Sequence, residues 1–137
     1  MKDRELTDIS AIKPNRGSIS FLEFLEEFWD YEASPYVREK LAHGHSIGKR
    51  HCYESMTRLN RYWQPVFENK KLNSITRQDI KKFSLSLADI GLAPSSINKI
   101  MNVGTTCLSW AFKEGYIPTD PTVGLINFSG EEKSGEY

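Results

Sequence analysis

The chain has no apolar run near the ~20 residues needed to cross a bilayer, and no charged-then-apolar leader opens it. It has only two cysteines, Cys52 and Cys107, too few for a disulfide framework. Each falls in a helical pattern, where a buried reduced thiol is the expected state. It also lacks net charge, with 18 Lys/Arg against 18 Asp/Glu, so an excess of one sign cannot attract a polyanion. Nor does any stretch alternate apolar and polar residues with period two, so no β-strand is expected. From these absences the expected protein is soluble and intracellular, all-α, with no membrane partner. At 137 residues, 39% apolar and 12% aromatic, it can bury one core.

The balanced total conceals a segregated distribution. Residues 38–113 hold 13 Lys/Arg and 5 Asp/Glu, and the remainder holds 5 and 13. The acidic groups cluster at Glu23, Glu26, Glu27, Asp30 and Glu32, and again at Glu131, Glu132 and Glu136. Segregation of this kind creates a basic face, and such a face steers a polyanion whatever the total charge.

Residues 1–17 are polar and aperiodic and read as an arm or linker. Ser20 with Glu23 has the form of a capping box, and Phe21, Leu25, Phe28 and Trp29 predict a helix over about 20–32. Ser34-Pro35 breaks it, and a short helical turn is expected over 36–41. Ser46 is the expected cap of a long helix with its stripe at Cys52, Met56, Leu59, Trp63 and Phe67, ended or kinked by Pro65. Thr76 with Asp79 caps a third helix through Ile80, Phe83 and Leu87, which Gly91 closes. Pro94-Ser95-Ser96 opens the fourth. Its stripe is Ile97, Ile100, Met101, Gly104, Leu108, Ala111 and Phe112, and Gly115 closes it. Gly104 within that stripe implies a close crossing with another helix. The expected fold is a compact bundle of four main helices over residues 18–128, with residues 129–137 as a linker.

The outward faces carry the candidate chemistry. On the second helix they hold Ser46, Lys49, Arg50, Tyr53, Thr57, Arg58 and Arg61. On the fourth they hold Ser95, Ser96, Asn98, Lys99, Asn102, Thr105 and Ser109. Hydroxyls, amides and cations at helical spacing bond phosphate oxygens and base edges, and helix N-termini add main-chain donors. His43, His45, His51 and Cys52 lie close in sequence. However, His51 and Cys52 point to different sides of a helix and no second pair follows, so a surface histidine loop is expected rather than a metal site.

The ordered phrases Ser46…Lys49-Arg50…Tyr53, Ile75-Thr76…Asp79-Ile80…Phe83, Ser95-Ser96-Ile97-Asn98 and Gly115-Tyr116-Ile117…Asp120-Pro121 resemble one family. It is the N-terminal core-binding (SAM-like) domain of phage-integrase-type tyrosine recombinases, over about residues 18–125. The resemblance implies an orthogonal four-helix bundle that forms half of a clamp on duplex DNA. Lys49, Arg50 and Tyr53, and Ser95, Ser96, Asn98, Lys99 and Asn102, match the DNA-facing starts of two helices. The acidic first helix matches an element that meets other protomers on DNA. The implied location is the bacterial cytoplasm, at the nucleoid when bound to DNA. No cofactor and no small-molecule substrate is expected. The recombinase catalytic set (an Arg, a Lys, a His-x-x-Arg pair and a nucleophilic Tyr) has no counterpart here, and Tyr137 sits on a polar tail. The expected entity is therefore a non-catalytic piece of a longer recombinase. A rival reading is a protein-interaction bundle using the acidic helix with Trp29, Tyr31 and Tyr36. A helix-turn-helix regulator fits less well, because the connector between the second and third helices exceeds the usual ~3–4 residues.

Overall fold

The computed structural model describes residues 18–128, so the expected arm and the expected terminal linker lie outside the described residues. The helices are α1 (Phe21–Phe28), α2 (Pro35–Ala42), α3 (Lys49–Arg58), α4 (Gln64–Phe67), α5 (Arg77–Asp89) and α6 (Pro94–Lys113). A π turn at Leu59–Trp63 joins α3 to α4 into one continuous rod, and a 3₁₀ turn at Leu72–Ser74 precedes α5. Among the described residues there is no strand, only an isolated bridge between Ser20 and Lys71. No helix of the described residues is long and apolar enough to cross a membrane.

Local chemistry sets most boundaries. Ser20 Oγ accepts the Glu23 N–H and starts α1. This helix ends at Phe28, short of the expected residue 32, because Asp30 Oδ1 accepts the N–H groups of Glu32 and Ala33 and folds the chain into a turn. Ser34-Pro35 does more than break a helix. Ser34 Oγ accepts the Val37 N–H and Pro35 opens α2, where its missing N–H costs nothing. Around α5, Thr76 Oγ1 accepts from Asp79 N while Asp79 Oδ2 accepts from Thr76 N, a complete capping box. Gly91 and Gly115, with φ of 89° and 84°, end α5 and α6 in the left-handed conformation expected of helix-closing glycines.

Pro65 acts differently from the expected break. A proline cannot donate to the carbonyl four residues back and its ring crowds that group. The rod widens into the π turn just before it, with Gln64 N–H reaching Leu59 O, and then continues to Phe67. The wider turn also keeps Leu59, Trp63 and Phe67, spaced by four, on the buried side.

The core is aromatic and centred on α6. Trp63 stacks on Phe67 at 5.1 Å between centroids and lies 4.5 Å from Phe83, while Phe21 meets both Trp63 and Phe67 edge-on. Trp63 Nε1 donates to Ile100 O (2.8 Å) and Trp29 Nε1 to Val103 O (3.0 Å). Two indoles thus dock about one turn apart on the same helix. The buried stripe of α6 is Ile97, Ile100, Val103, Gly104, Cys107, Leu108 and Ala111. Met101 is only half-buried and Phe112 is exposed, so the face is rotated from the expected one towards Val103 and Cys107, where Trp29 docks. On α3 the same correction replaces Met56, half-buried, by the fully buried Ser55.

Candidate nucleic-acid interface

α3 is exposed along the face that carries Lys49, Arg50, Tyr53, Thr57 and Arg61. Four-residue steps from Lys49 through Tyr53 and Thr57 to Arg61 align these groups along the rod. Tyr53 is 73% exposed, unusual for so large a ring, and leaves its phenol accessible. The cations are already neighboured by charge. Lys49 Nζ lies 3.9 Å from Glu32 Oε2 and over the Tyr31 ring, and Arg50 Nε donates to Glu54 Oε2 at 3.2 Å. Exposed pairs of this kind are worth only ~0.2–1 kcal/mol, so a phosphate can displace either carboxylate. Arg61 has no carboxylate partner among the described residues and rests against the Tyr62 ring. Thr57 Oγ1 donates to Tyr53 O, which leaves it only acceptor capacity and removes it as a donor to phosphate. Arg58, also expected outward, is half-buried.

Ser46 does not cap α3. Gly48 holds that position with no side-chain bond, and Ser46 lies exposed in the preceding loop. The consequence is informative. Ser20, Ser34 and Thr76 cap α1, α2 and α5, whereas α3 and α6 begin at Gly48 and Ala93 with no side-chain cap. The two helices bearing the candidate residues thus start with N–H groups that no side chain caps, at the positive end of the helix dipole. The two helices also pack against each other.

On α6, Ser95, Ser96, Lys99 and Asn102 are exposed. Asn98 is half-buried and its amide is engaged: Nδ2 donates to Phe128 O (2.7 Å) and Oδ1 accepts from Phe128 N (2.9 Å). Farther along, Thr105 and Ser109 are half-buried rather than outward. With Asn98 and Asn102 they form one wall of a groove of about 770 Å³, opposite α2 and bordered by residues 122–128. That groove collects Lys40, His43, His45 and Lys113, which the sequence pattern did not single out as site residues. His43 and His45 stand out locally only as a histidine loop, and Lys40 and Lys113 not at all, because the four come from a polar helix, a loop and a helix end that only folding brings together.

Both thiols are buried, and their surroundings favour the protonated form. Burial pushes the fully buried Cys107 well up, and burial followed by the nearby Asp30 raises Cys52. Burial, followed by Cys52, also raises the Tyr36 phenol. Ring contact places His51 against Trp29 at 5.4 Å, and among the described residues no three His, Cys, Asp or Glu side chains gather as a metal site.

The aromatics expected to serve an interaction surface are largely inside. Trp29 is 4% exposed with its Nε1–H bonded to Val103, Tyr36 is half-buried and stacked on Phe28, and Tyr31 is half-buried beside Lys49. Their apolar area is needed for the core.

No family model matches this chain, and no match is found among the curated proteins or the solved structures.

Proposed function

We propose that this chain is a duplex-DNA-binding module without catalytic chemistry, the holding part of a phage-integrase-type tyrosine recombinase, built as its orthogonal four-helix (SAM-like) core-binding bundle. The observation that carries the reading is the coincidence of two features on α3 and α6. Both helices start without a side-chain cap; beyond that start α3 presents exposed Lys49, Arg50 and Tyr53, and α6 presents exposed Ser95, Ser96, Lys99 and Asn102. Phosphate oxygens accept from such main-chain donors and from Lys49, Arg50, Arg61 and Lys99, while Tyr53, Ser95, Ser96 and Asn102 supply shorter hydrogen bonds. Ser46, exposed in the loop before α3, is in this reading a further hydroxyl for the phosphate backbone. In this reading further protomers of the same recombinase are partners on the DNA, and the bacterial nucleoid is the place of action. The interaction-bundle alternative has less support, since Trp29 belongs to the core and Tyr36 is half-buried against it.

The test is a gel-shift titration with duplex DNA between 50 and 200 mM salt. Binding should weaken with a slope of about −0.9 in log K against log salt for each phosphate neutralised. Replacing Lys99 and Arg61 together by Ala should weaken binding to every sequence and flatten the slope by up to about two phosphates. Absence of duplex binding at the lowest salt sinks the proposal.

A further inference from the structure

Among the described residues, Asn98 is the one member of the α6 face whose side chain is hydrogen-bonded to another part of the chain. Through one edge of its amide it satisfies both main-chain groups of Phe128, donating from Nδ2 to the carbonyl and accepting the N–H at Oδ1, much as a neighbouring strand would. The segment that leads to Phe128 is anchored elsewhere too. Asp120 Oδ1 accepts from the N–H and the hydroxyl of Thr122, the Arg77 guanidinium lies beside Gly124, and Leu125 and Phe128 pack on the core. The same segment forms one wall of the groove beside α6.

We infer that Asn98 is a positioning residue, which sets the direction in which the chain leaves the α6 face and does not read a base. An asparagine that recognises adenine uses its donor and acceptor side by side along the same amide edge. In this fold that edge faces Phe128, so base recognition and the clamp exclude each other. Base or phosphate contact is left to Ser95, Ser96, Lys99 and Asn102, with the exit of the chain held in constant register to them.

The experiment measures amide hydrogen exchange at Phe128 and duplex affinity on the full chain, for the wild type and for Asn98→Ala, Asn98→Asp and Lys99→Ala. Asn98→Ala should speed exchange at Phe128 by about tenfold or more, as expected when an amide loses its partner. Asn98→Asp should restore part of the protection, because a carboxylate still accepts that N–H. Duplex affinity of Asn98→Ala should stay within about twofold of the wild type, while Lys99→Ala should lose roughly one phosphate contact. Unchanged exchange in Asn98→Ala overturns the inference. So does an affinity loss matching that of Lys99→Ala, or faster Phe128 exchange once duplex is bound to the wild type, since Asn98 would then have left the clamp for DNA. Only the affinity arm rests on the DNA-binding reading; if no duplex binds, that reading fails and the exchange arm still decides the clamp.

Discussion

The six-membered ring of Trp63 fills the space beside Gly104 that a side chain at that position would occupy. The indole reaches this site from the π turn and is held there by its bond to the Ile100 carbonyl, one turn earlier on α6. Gly104 is therefore a point of close approach between the α3–α4 rod and α6, and the pair ties together the two helices that carry the candidate interface.

Gly104→Ala should destabilise the chain. Overpacking costs about 1–3 kcal/mol, and alanine regains at most about 1 kcal/mol over glycine in a helix interior. The denaturant midpoint is the measurement. A variant as stable as the wild type would show that the Trp63 ring is free to move. Trp63→Phe, which removes the Nε1 donor and part of the ring, should also destabilise, by about 1–3 kcal/mol.

The thiols predict an alkaline loss of stability. Because burial raises Cys107 and Cys52, the folded chain holds these protons more tightly than the unfolded chain. Their contribution is complete below about pH 8.5, the value of an unfolded thiol, and is lost as pH rises through the higher folded values. Thermal midpoints should fall above that pH, and more gently in Cys107→Ala. Equal alkaline slopes in the two proteins would remove the thiol as the cause.

Neutralising an acid should strengthen DNA binding. Glu54→Gln frees Arg50 from its partner and Glu32→Gln frees Lys49. Each should raise duplex affinity a few-fold at low salt, about the effect of one further phosphate contact. An unchanged affinity in the double variant would exclude the α3 face as the contact surface.

The α5 cap should be worth about 1 kcal/mol, the usual cost of Thr→Ala at such a position. Thr76→Ala and Asp79→Ala remove the two halves of one reciprocal pair, so their effects should not add in a double-mutant cycle. Full additivity would mean that the two bonds act independently.

How much was legible follows from range. Caps at Ser20 and Thr76 and helix ends at Gly91 and Gly115 involve bonds across three to five residues, and the sequence pattern locates all four. The close approach at Gly104 was also legible, since a glycine inside an apolar stripe has few other uses, though its partner Trp63 was not. Helical phase was read less well. Met101 and Phe112 are as apolar as Val103 and Cys107, and only the docking of Trp29 on Val103 decides which flank turns inward. α2 was underestimated because it buries little beyond Val37. Besides Val37 it is held by contacts distant in sequence: Tyr36 stacks on Phe28, and Glu39 accepts from Trp110 Nε1 across 71 residues.

The amino-acid sequence by itself determined the helical class, most helix starts and stops, and the exposed polar faces of α3 and α6, because each depends on period and on near-neighbour hydrogen bonds. Only the tertiary structure decided which of those polar groups are at liberty. It drew Asn98 to Phe128, set Glu32 beside Lys49, buried Trp29 and gathered Lys40, His43, His45 and Lys113 along one groove. Such contacts join residues far apart in the chain, and their geometry is fixed by packing rather than by periodicity.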